Sequence, residues 1–346
     1  MSTIKTKLIP LITVTALAGA ARAEEPPPPP PAPAPALPAV SAPAPAATAV
    51  ANANVAPAPA PAAPPAPYSL PWQLRPVAAA NVLRSDTAFA LYDNGADAKG
   101  STVATMLLAS YKVTQTIAPL VRLGFVQNDA PAAGVDGTSF VNPIVGATYA
   151  RRASAIRWAA FLGATIPVGM GGGNMPDAGA ATANSSGVRA RSAMDNAMFA
   201  VNYLTAIAGG DVAYVDHKLT VQLEATLFQL MRVRGDTAAS STDSTRTNST
   251  VGLHAGVFII PMVSLGGEIR YQRWLTTPTQ LSSAGSKVDI ADAAKDTMTV
   301  AIGPRAHFAI GTNMWLRPGI SYARALDKPL SDASYNVLQI DVPLYF

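Results

Sequence analysis

The chain has 346 residues, a positive mean hydropathy and only 13% charged residues. It has no cysteine, which excludes a disulfide framework, Cys-ligated zinc, thiol catalysis and lipid attachment at an amino-terminal Cys. The formal charge of +4 is concentrated at the start, where Lys5, Lys7 and Arg22 stand without acids, so the remainder is close to neutral and is no footprint for nucleic acid.

Residues 1–23 read as a secretory signal: Lys5 and Lys7, an apolar stretch from Leu8 to Ala21, then Ala21-Arg22-Ala23 as an Ala-x-Ala cleavage site. The apolar stretch is short for a spanning helix and contains Pro10, which argues against an uncleaved anchor. Residues 24–81 are assigned to a Pro/Ala-rich linker. Its core, 26–67, is almost wholly Pro and Ala and carries no charge, so it cannot bury a core and favours extended polyproline II. It suits a periplasmic spacer, or an arm touching the cell wall, or a passive tail.

From about Leu83 the texture changes to alternating apolar and polar residues, the period of a strand. The pattern predicts strands at 82–92, 101–113, 116–127, 139–150, 154–168, 203–216, 218–234, 248–260, 262–275, 296–310, 312–325 and 335–346. In 248–260, Val251, Leu253, Ala255, Val257 and Ile259 share one face, and Thr250, Gly252, His254, Gly256 and Phe258 the other. Short turns near 114–115, 151–153, 217, 261 and 311 alternate with long connections at 93–100, 128–138, 169–202, 235–247, 276–295 and 326–334. That wiring, with an even strand number, is that of a transmembrane barrel whose long loops face outside. Without an 18-residue apolar run beyond the signal, only a closed barrel could pair its backbone in hydrocarbon. Pro143, Pro304 and Pro318 each remove a ladder donor within these strands. Residues 188–202 mix helical and strand spacing, and a short helix packed on the barrel rim is expected there.

The last strand alternates Leu338, Ile340, Val342, Leu344 and Phe346 with polar or mixed residues and ends on Phe346. On those residues the chain resembles the outer-membrane β-barrel proteins of Gram-negative bacteria, porins and transporters among them, whose closing strand ends in Phe as an assembly signal. The resemblance implies a cell outer-membrane location for residues 82–346. It also implies contact with outer-membrane lipids and lipopolysaccharide, and recognition by the barrel-assembly machinery. The fold expected is all-β, an antiparallel up-and-down barrel of about twelve strands.

By alternation Arg122, Arg157, Arg232, Arg234, Arg270, Arg305 and Arg317 point inward, answered by Asp86, Glu224, Glu268 and Asp341, with His254 and His307 on the same wall. Such residues either form an Arg–Glu lattice that stiffens the wall and plugs the pore, or an eyelet that attracts anions. Narrow acidic-sugar channels of similar strand number also line their pores with arginine, a resemblance of architecture only. The expected function is a passive, porin-like channel for small and, by the arginines, anionic solutes; the alternative is a closed structural or adhesive barrel acting through its loops and arm. A lipid hydrolase would need a histidine facing a serine and an orienting group; neither His254 nor His307 has a Ser two residues away on its face, and His217 sits in a turn. Gly171-Gly172-Gly173-Asn174 lacks the Lys-Ser/Thr of a phosphate loop. No loop has calcium-binding spacing, and no cofactor or metal is expected.

Overall fold

The computed structural model describes residues 68–93, 98–131, 134–235, 243–281, 286–311 and 313–346. The signal at 1–23 and the arm from 24 to 67 lie outside them. The elements are β1 (Val82–Asp93), β2 (Lys99–Ser110), β3 (Ile117–Asp129), β4 (Gly137–Phe140), β5 (Ile144–Ala153), β6 (Ile156–Thr165), α1 (Ala178–Ala190) and α2 (Asn196–Phe199). There follow β7 (Tyr203–Asp216), β8 (Leu219–Arg232), β9 (Thr245–Ile260), β10 (Val263–Trp274), the small hairpin β11 (Thr279–Leu281) and β12 (Lys287–Asp289), and β13 (Asp296–Ala306). The chain ends with β14 (Phe308–Ile310), β15 (Met314–Leu316), β16 (Gly319–Ala325) and β17 (Asn336–Tyr345).

Each long strand pairs antiparallel with its neighbours in chain order, and β1 pairs with β17 over Val82↔Tyr345 to Leu91↔Asn336, closing the sheet. Three of the twelve staves are interrupted. The fourth breaks between β4 and β5, where Pro143 stands, and the eleventh between β15 and β16, at Pro318. The tenth breaks at His307, between β13 and β14. Pro304 stays in β13, where pairing with β16 lapses between Ile302↔Tyr322 and Arg305↔Gly319. Proline takes the positions where the ladder is already irregular, as its missing N–H requires.

The two faces follow the period of two. Leu219, Val221, Leu223 and Leu227 of β8, Val251, Leu253, Val257 and Ile259 of β9, and Leu338, Ile340 and Val342 of β17 are exposed on the outer wall. Tyr111, Trp158, Tyr214, Phe308 and Trp315 are also exposed, on or beside the strand ends that the short turns join. A closed ladder with an apolar exterior and aromatic residues towards its rim is the form a transmembrane barrel takes.

The lumen is filled from both ends. From the short-turn end, residues 68–81 run into the barrel ahead of β1, and Tyr68, Ser69, Leu70, Trp72, Leu74 and Val77 are buried. From the long-loop end, the connection between β6 and β7 folds inward as α1 and α2. Asp177 caps α1 by accepting from the Ala180 amide at 2.7 Å, and its buried face packs against β1 to β4. Within 188–202, where a short helix on the rim is expected, lie the single turn α2 and only the last residues of α1, which begins ten residues earlier, and both are folded inward rather than seated on the rim.

Inward apolar residues gather where the chain covers them. Met106, Ile144, Phe161, Ile207, Phe228 and Leu230 form one cluster with Met198 and Phe199 of the inward-folded connection. Tyr68, Leu70 and Val77 form a second with Ala150, Ala159, Ala213 and Val215. Elsewhere the wall yields to the entering segment by lacking side chains. A Cβ on inward-facing Gly252 would collide with the Leu74 side chain, one on Gly256 with Ser69, and one on Gly319 would stand 3.0 Å from the Trp72 ring. Gly252→Leu is therefore expected to expel Leu74 while leaving the ladder intact, and a cysteine at position 74 should become reactive to a water-soluble maleimide only in that variant.

Candidate functional site

The site is the interior of the barrel, and it begins with the wall carboxylates. Glu268 of β10 accepts from the Trp72 backbone amide and, at 3.3 Å, from that of Gln73. Glu224 of β8 accepts from the Arg75 amide at 2.5 Å. Its neighbour across the ladder, Asp211, accepts from Arg75 Nε at 3.3 Å. Backbone carbonyls are served by arginine in turn: Arg305 Nε donates to Leu70 O at 3.1 Å and Arg84 Nη2 to Pro71 O at 3.0 Å. Both arginines also grip Asp341, Arg84 at 2.7 Å and Arg305 at 2.5 Å. Segment 68–81 makes no ladder with the wall, so these side chains carry the backbone hydrogen bonds that a buried loop must find.

The segment is also held to itself. The Tyr68 hydroxyl accepts from the Val77 amide at 3.1 Å and donates to Gln222 Oε1, closing a loop whose turn carries Arg75 and Pro76. Arg75 stacks over Phe161, Arg157 over Tyr68 and Arg305 over Trp72, with ring distances of 5.2, 5.0 and 5.9 Å. Burial raises the Tyr68 hydroxyl pKa above its ordinary value, so it stays a donor throughout the physiological range.

At the opposite end, Arg191, fully buried just after α1, holds Asp86 of β1 at 2.6 Å and Asp195 at 2.9 Å. Arg122 of β3 grips Asp195 from the other side, at 2.5 and 3.1 Å. The two ends are joined by one line of polar contacts. Glu268 pairs with Arg270; Arg270 donates to Gln339 at 3.2 Å; Gln339 donates to Asp86 at 2.7 Å; and Asp86 meets Arg191. A chamber of about 70 Å³ remains between the two inserts, bounded by Gln73, Arg75, Arg122, Asp195 and Glu224 among others.

Burial alone would raise the Asp195 carboxyl, but Arg122 and Arg191 outweigh it and hold it at about 2. A carboxylate whose folded pKa lies below its free value of about 3.9 contributes stability that is fully present above that value and lost as pH falls through the folded one. Protection factors for amide exchange across 178–202, taken relative to the free-peptide rate at each pH, should therefore stay high from neutral pH down to about 4 and fall between about pH 4 and 2. Asp195→Asn should show the lowered protection already at neutral pH.

The sequence-derived residues are distributed as follows. Arg122, Glu224, Glu268, Arg270 and Arg305 belong to these networks. Arg157 and Arg317 sit near the short-turn end, Arg317 stacked over Trp315 and Tyr345 at 5.4 and 5.1 Å. Arg234 lies beyond β8, where it donates to Pro167 O and Gly169 O at 2.9 and 3.1 Å, and Arg232 is the last residue of that strand. Buried His254 packs edge-on to Trp72 with ring centroids 6.0 Å apart, and its Nδ1 lies 3.7 Å from Glu268. His307 Nε2 lies 2.9 Å from Ser264 Oγ, a serine on the neighbouring strand that same-strand spacing does not reveal. Both are buried, Ser264 leads on to Ser69 at 3.4 Å, and among the described residues no carboxylate bonds the His307 ring. The geometry gives a bond to the entering segment rather than an activated, reachable nucleophile. Of the closing-strand residues, Leu338, Ile340, Val342 and Phe346 are exposed outward and Leu344 is half-buried.

Sequence reasoning missed the residues that bind from inside. By composition Tyr68, Trp72, Leu74 and Arg75 fall within the linker, and Arg191 and Asp195 within a long loop. Arg84 shares the parity of Asp86 on β1 and was legible from it, whereas Asp211 meets Glu224 only through the register of β7 on β8.

No family model and no curated protein matches the chain. Among solved structures, it is similar to an outer-membrane channel from Pseudomonas putida F1, at 14% identity and a TM-score of 0.49 over 80% of this chain and 98% of that one. It is similar to the NanC porin at 8% identity and a TM-score of 0.44, over 76% of this chain and 98% of the porin. With the β domain of the Bordetella autotransporter BrkA it shares 11% identity and a TM-score of 0.41, over 78% of this chain and 99% of that domain.

Proposed function

We propose that the protein is an outer-membrane channel for small solutes, held shut at rest by its own residues 68–81 and by the inward-folded connection between β6 and β7. The observation that carries this reading is the way the segment is held. Trp72, Gln73 and Arg75 are bound through amides to carboxylates of the wall, and the segment crosses the lumen without joining the sheet. Its departure leaves the ladder whole and exposes a wall rich in charged groups, as a water-filled pore requires. The apolar outer face supports a site in lipid, with the long loops towards lipopolysaccharide and the Pro/Ala arm in the periplasm within reach of the cell wall. The exposed alternating residues of the last strand, ending at Phe346, suit recognition by the assembly machinery.

A second reading is favoured by the filling of the lumen from both ends: a permanently closed barrel that anchors the arm or presents its outer loops. Planar-bilayer recording separates the two. The channel reading expects the intact chain to be mostly silent and a variant with both segment 68–81 and the inward-folded 166–202 connection weakened to conduct steadily. Anion preference in that variant, reduced by Arg157→Ala, would support the arginine bias. Silence of a folded, weakened variant supports the closed anchor.

A further inference from the structure

The short-turn end of the barrel is divided into two arcs. Over staves two to seven its turns carry Lys112, Arg151, Arg152 and Lys218, all exposed, against a single acid, Asp216. These turns are neighbours: the Ala150 amide donates to Thr116 O and the Val215 amide to Ala155 O, both at 2.8 Å. Asp216 is already answered, by the His217 ring at 2.7 Å and the Tyr214 hydroxyl at 3.1 Å. Among the described residues none of the four cations has a carboxylate partner. Over staves eight to eleven the same end is neutral. Ile260, Met262, Ile310 and Met314 are exposed there, and neither turn contains a charged residue.

The neutral arc fixes the level of the basic one. Clustered aliphatic tips favour lipid over water, so this end of the barrel sits within the membrane boundary. A lysine or arginine at that depth needs an anion and reaches one by extending its apolar stem towards the headgroups. Arg151 is the best placed of the four. It stands directly opposite Trp158 in the pairing of β5 with β6 and shares the outer face with Tyr149. Its Nε donates to the Tyr149 hydroxyl at 2.6 Å, its guanidinium lies 5.7 Å from the centre of the Tyr149 ring, and that ring is 5.4 Å from Trp158. Tyr and Trp collect at headgroup level, so this pair holds the guanidinium there. Nε is committed, while among the described residues no hydrogen bond uses either Nη nitrogen. Such donors match the oxygens of a phosphate.

These features together select one kind of partner. A soluble anion would offer nothing to the aromatic flank, and a zwitterionic lipid would bring its own ammonium among four cations. We propose that the rim from β2 to β8 binds an anionic phospholipid of the adjoining leaflet. The phosphodiester lies at Arg151, the glycerol and upper acyl chain lie against Tyr149 and Trp158, and Lys112, Arg152 and Lys218 supply the preference for net negative charge. The inference rests on the placement of the barrel in lipid and goes beyond the channel reading. Binding is read without a current, so a barrel that never conducts still binds, and the two readings fail separately.

Native mass spectrometry of the intact detergent-solubilised chain tests it, with phosphatidylglycerol, phosphatidylcholine of the same acyl chains, and soluble glycerol phosphate as competitor. Phosphatidylglycerol should be retained about tenfold more tightly than phosphatidylcholine, and glycerol phosphate should not displace it. One cation at an anionic lipid surface is worth about fivefold in binding, so Arg151→Gln should weaken phosphatidylglycerol by about that factor. Arg273→Gln, an exposed position at the long-loop end, should change nothing. Arg151 is exposed, so its variant should fold, which heat-modifiable mobility checks. Equal retention of the two lipids would overturn the assignment, as would retention of neither. Displacement by glycerol phosphate would reduce the rim to a bare anion site, and an Arg151→Gln chain that keeps the full preference sinks the proposal.

Discussion

Replacing Trp72, Leu74 and Arg75 together by alanine in a chain that also carries Arg191→Ala, so that both inserts are released, should turn a silent barrel into a conducting one. Trp72 and Leu74 are at most 1% exposed, and truncating a buried Leu or Trp costs about 2–5 kcal/mol. Loss of Arg75 adds an electrostatic term, because Asp211 and Glu224 face each other across β7 and β8 and lose the cation that lies 3.3 Å from each. Every 1.4 kcal/mol is tenfold in an equilibrium, so the fraction of open barrels should rise by well over a hundredfold. None of the three side chains contributes to the strand ladder, so the variant should keep the folded barrel's heat-modifiable mobility on gels. A variant that migrates as folded and stays silent would show that the segment is fixed masonry rather than a stopper.

Arg191→Ala should free the other insert. Removing one partner from a buried ion pair costs about 3–5 kcal/mol, because the remaining charge stays desolvated. Here two carboxylates, Asp86 and Asp195, lose their shared guanidinium. Proteolysis between 166 and 202 should accelerate by at least a hundredfold under conditions where opening limits cleavage. Asp86→Asn added to Arg191→Ala should recover part of the protection, since among the described residues Asp86 has its salt bridge to Arg191 alone, whereas Asp195 keeps Arg122. Conductance should remain low with segment 68–81 in place. Cleavage at the wild-type rate would mean that α1 is held by its apolar face alone.

Nearly all of the barrel was legible in the sequence, because a period of two is a property of each strand by itself. The predicted 203–216 matches β7, and 248–260 carries the outward set read from alternation. What occupies the lumen was not legible by that rule, because it depends on contacts between residues far apart in the chain. Signals were nonetheless present. The inward face of β8 passes from Thr220, Gln222, Glu224 and Thr226 to Phe228 and Leu230, a change that makes sense only if protein covers the last two. Inward Gly252 and Gly256 leave a strip without side chains. Tyr68, Trp72 and Arg75 break a composition of Pro and Ala that otherwise has nothing to bury. The Ser264–His307 contact was invisible for a different reason: it joins two strands whose register no single-strand pattern specifies.

Arg75 is the cation that stands against Asp211 and Glu224, on the sixth and seventh staves of a ring of twelve. Arg84 and Arg305, which outnumber the Asp341 they share, stand around the seam where the twelfth stave meets the first, across the lumen. In the proposed open state, with Arg75 withdrawn, the passage would be negative on one side and positive on the other, giving an electric field with a component across the direction of travel. Screening acts over about 8 Å in physiological salt, so a narrow passage would feel it. A zwitterion passing through would be turned crosswise, and its orientation would be set by the wall before its net charge mattered.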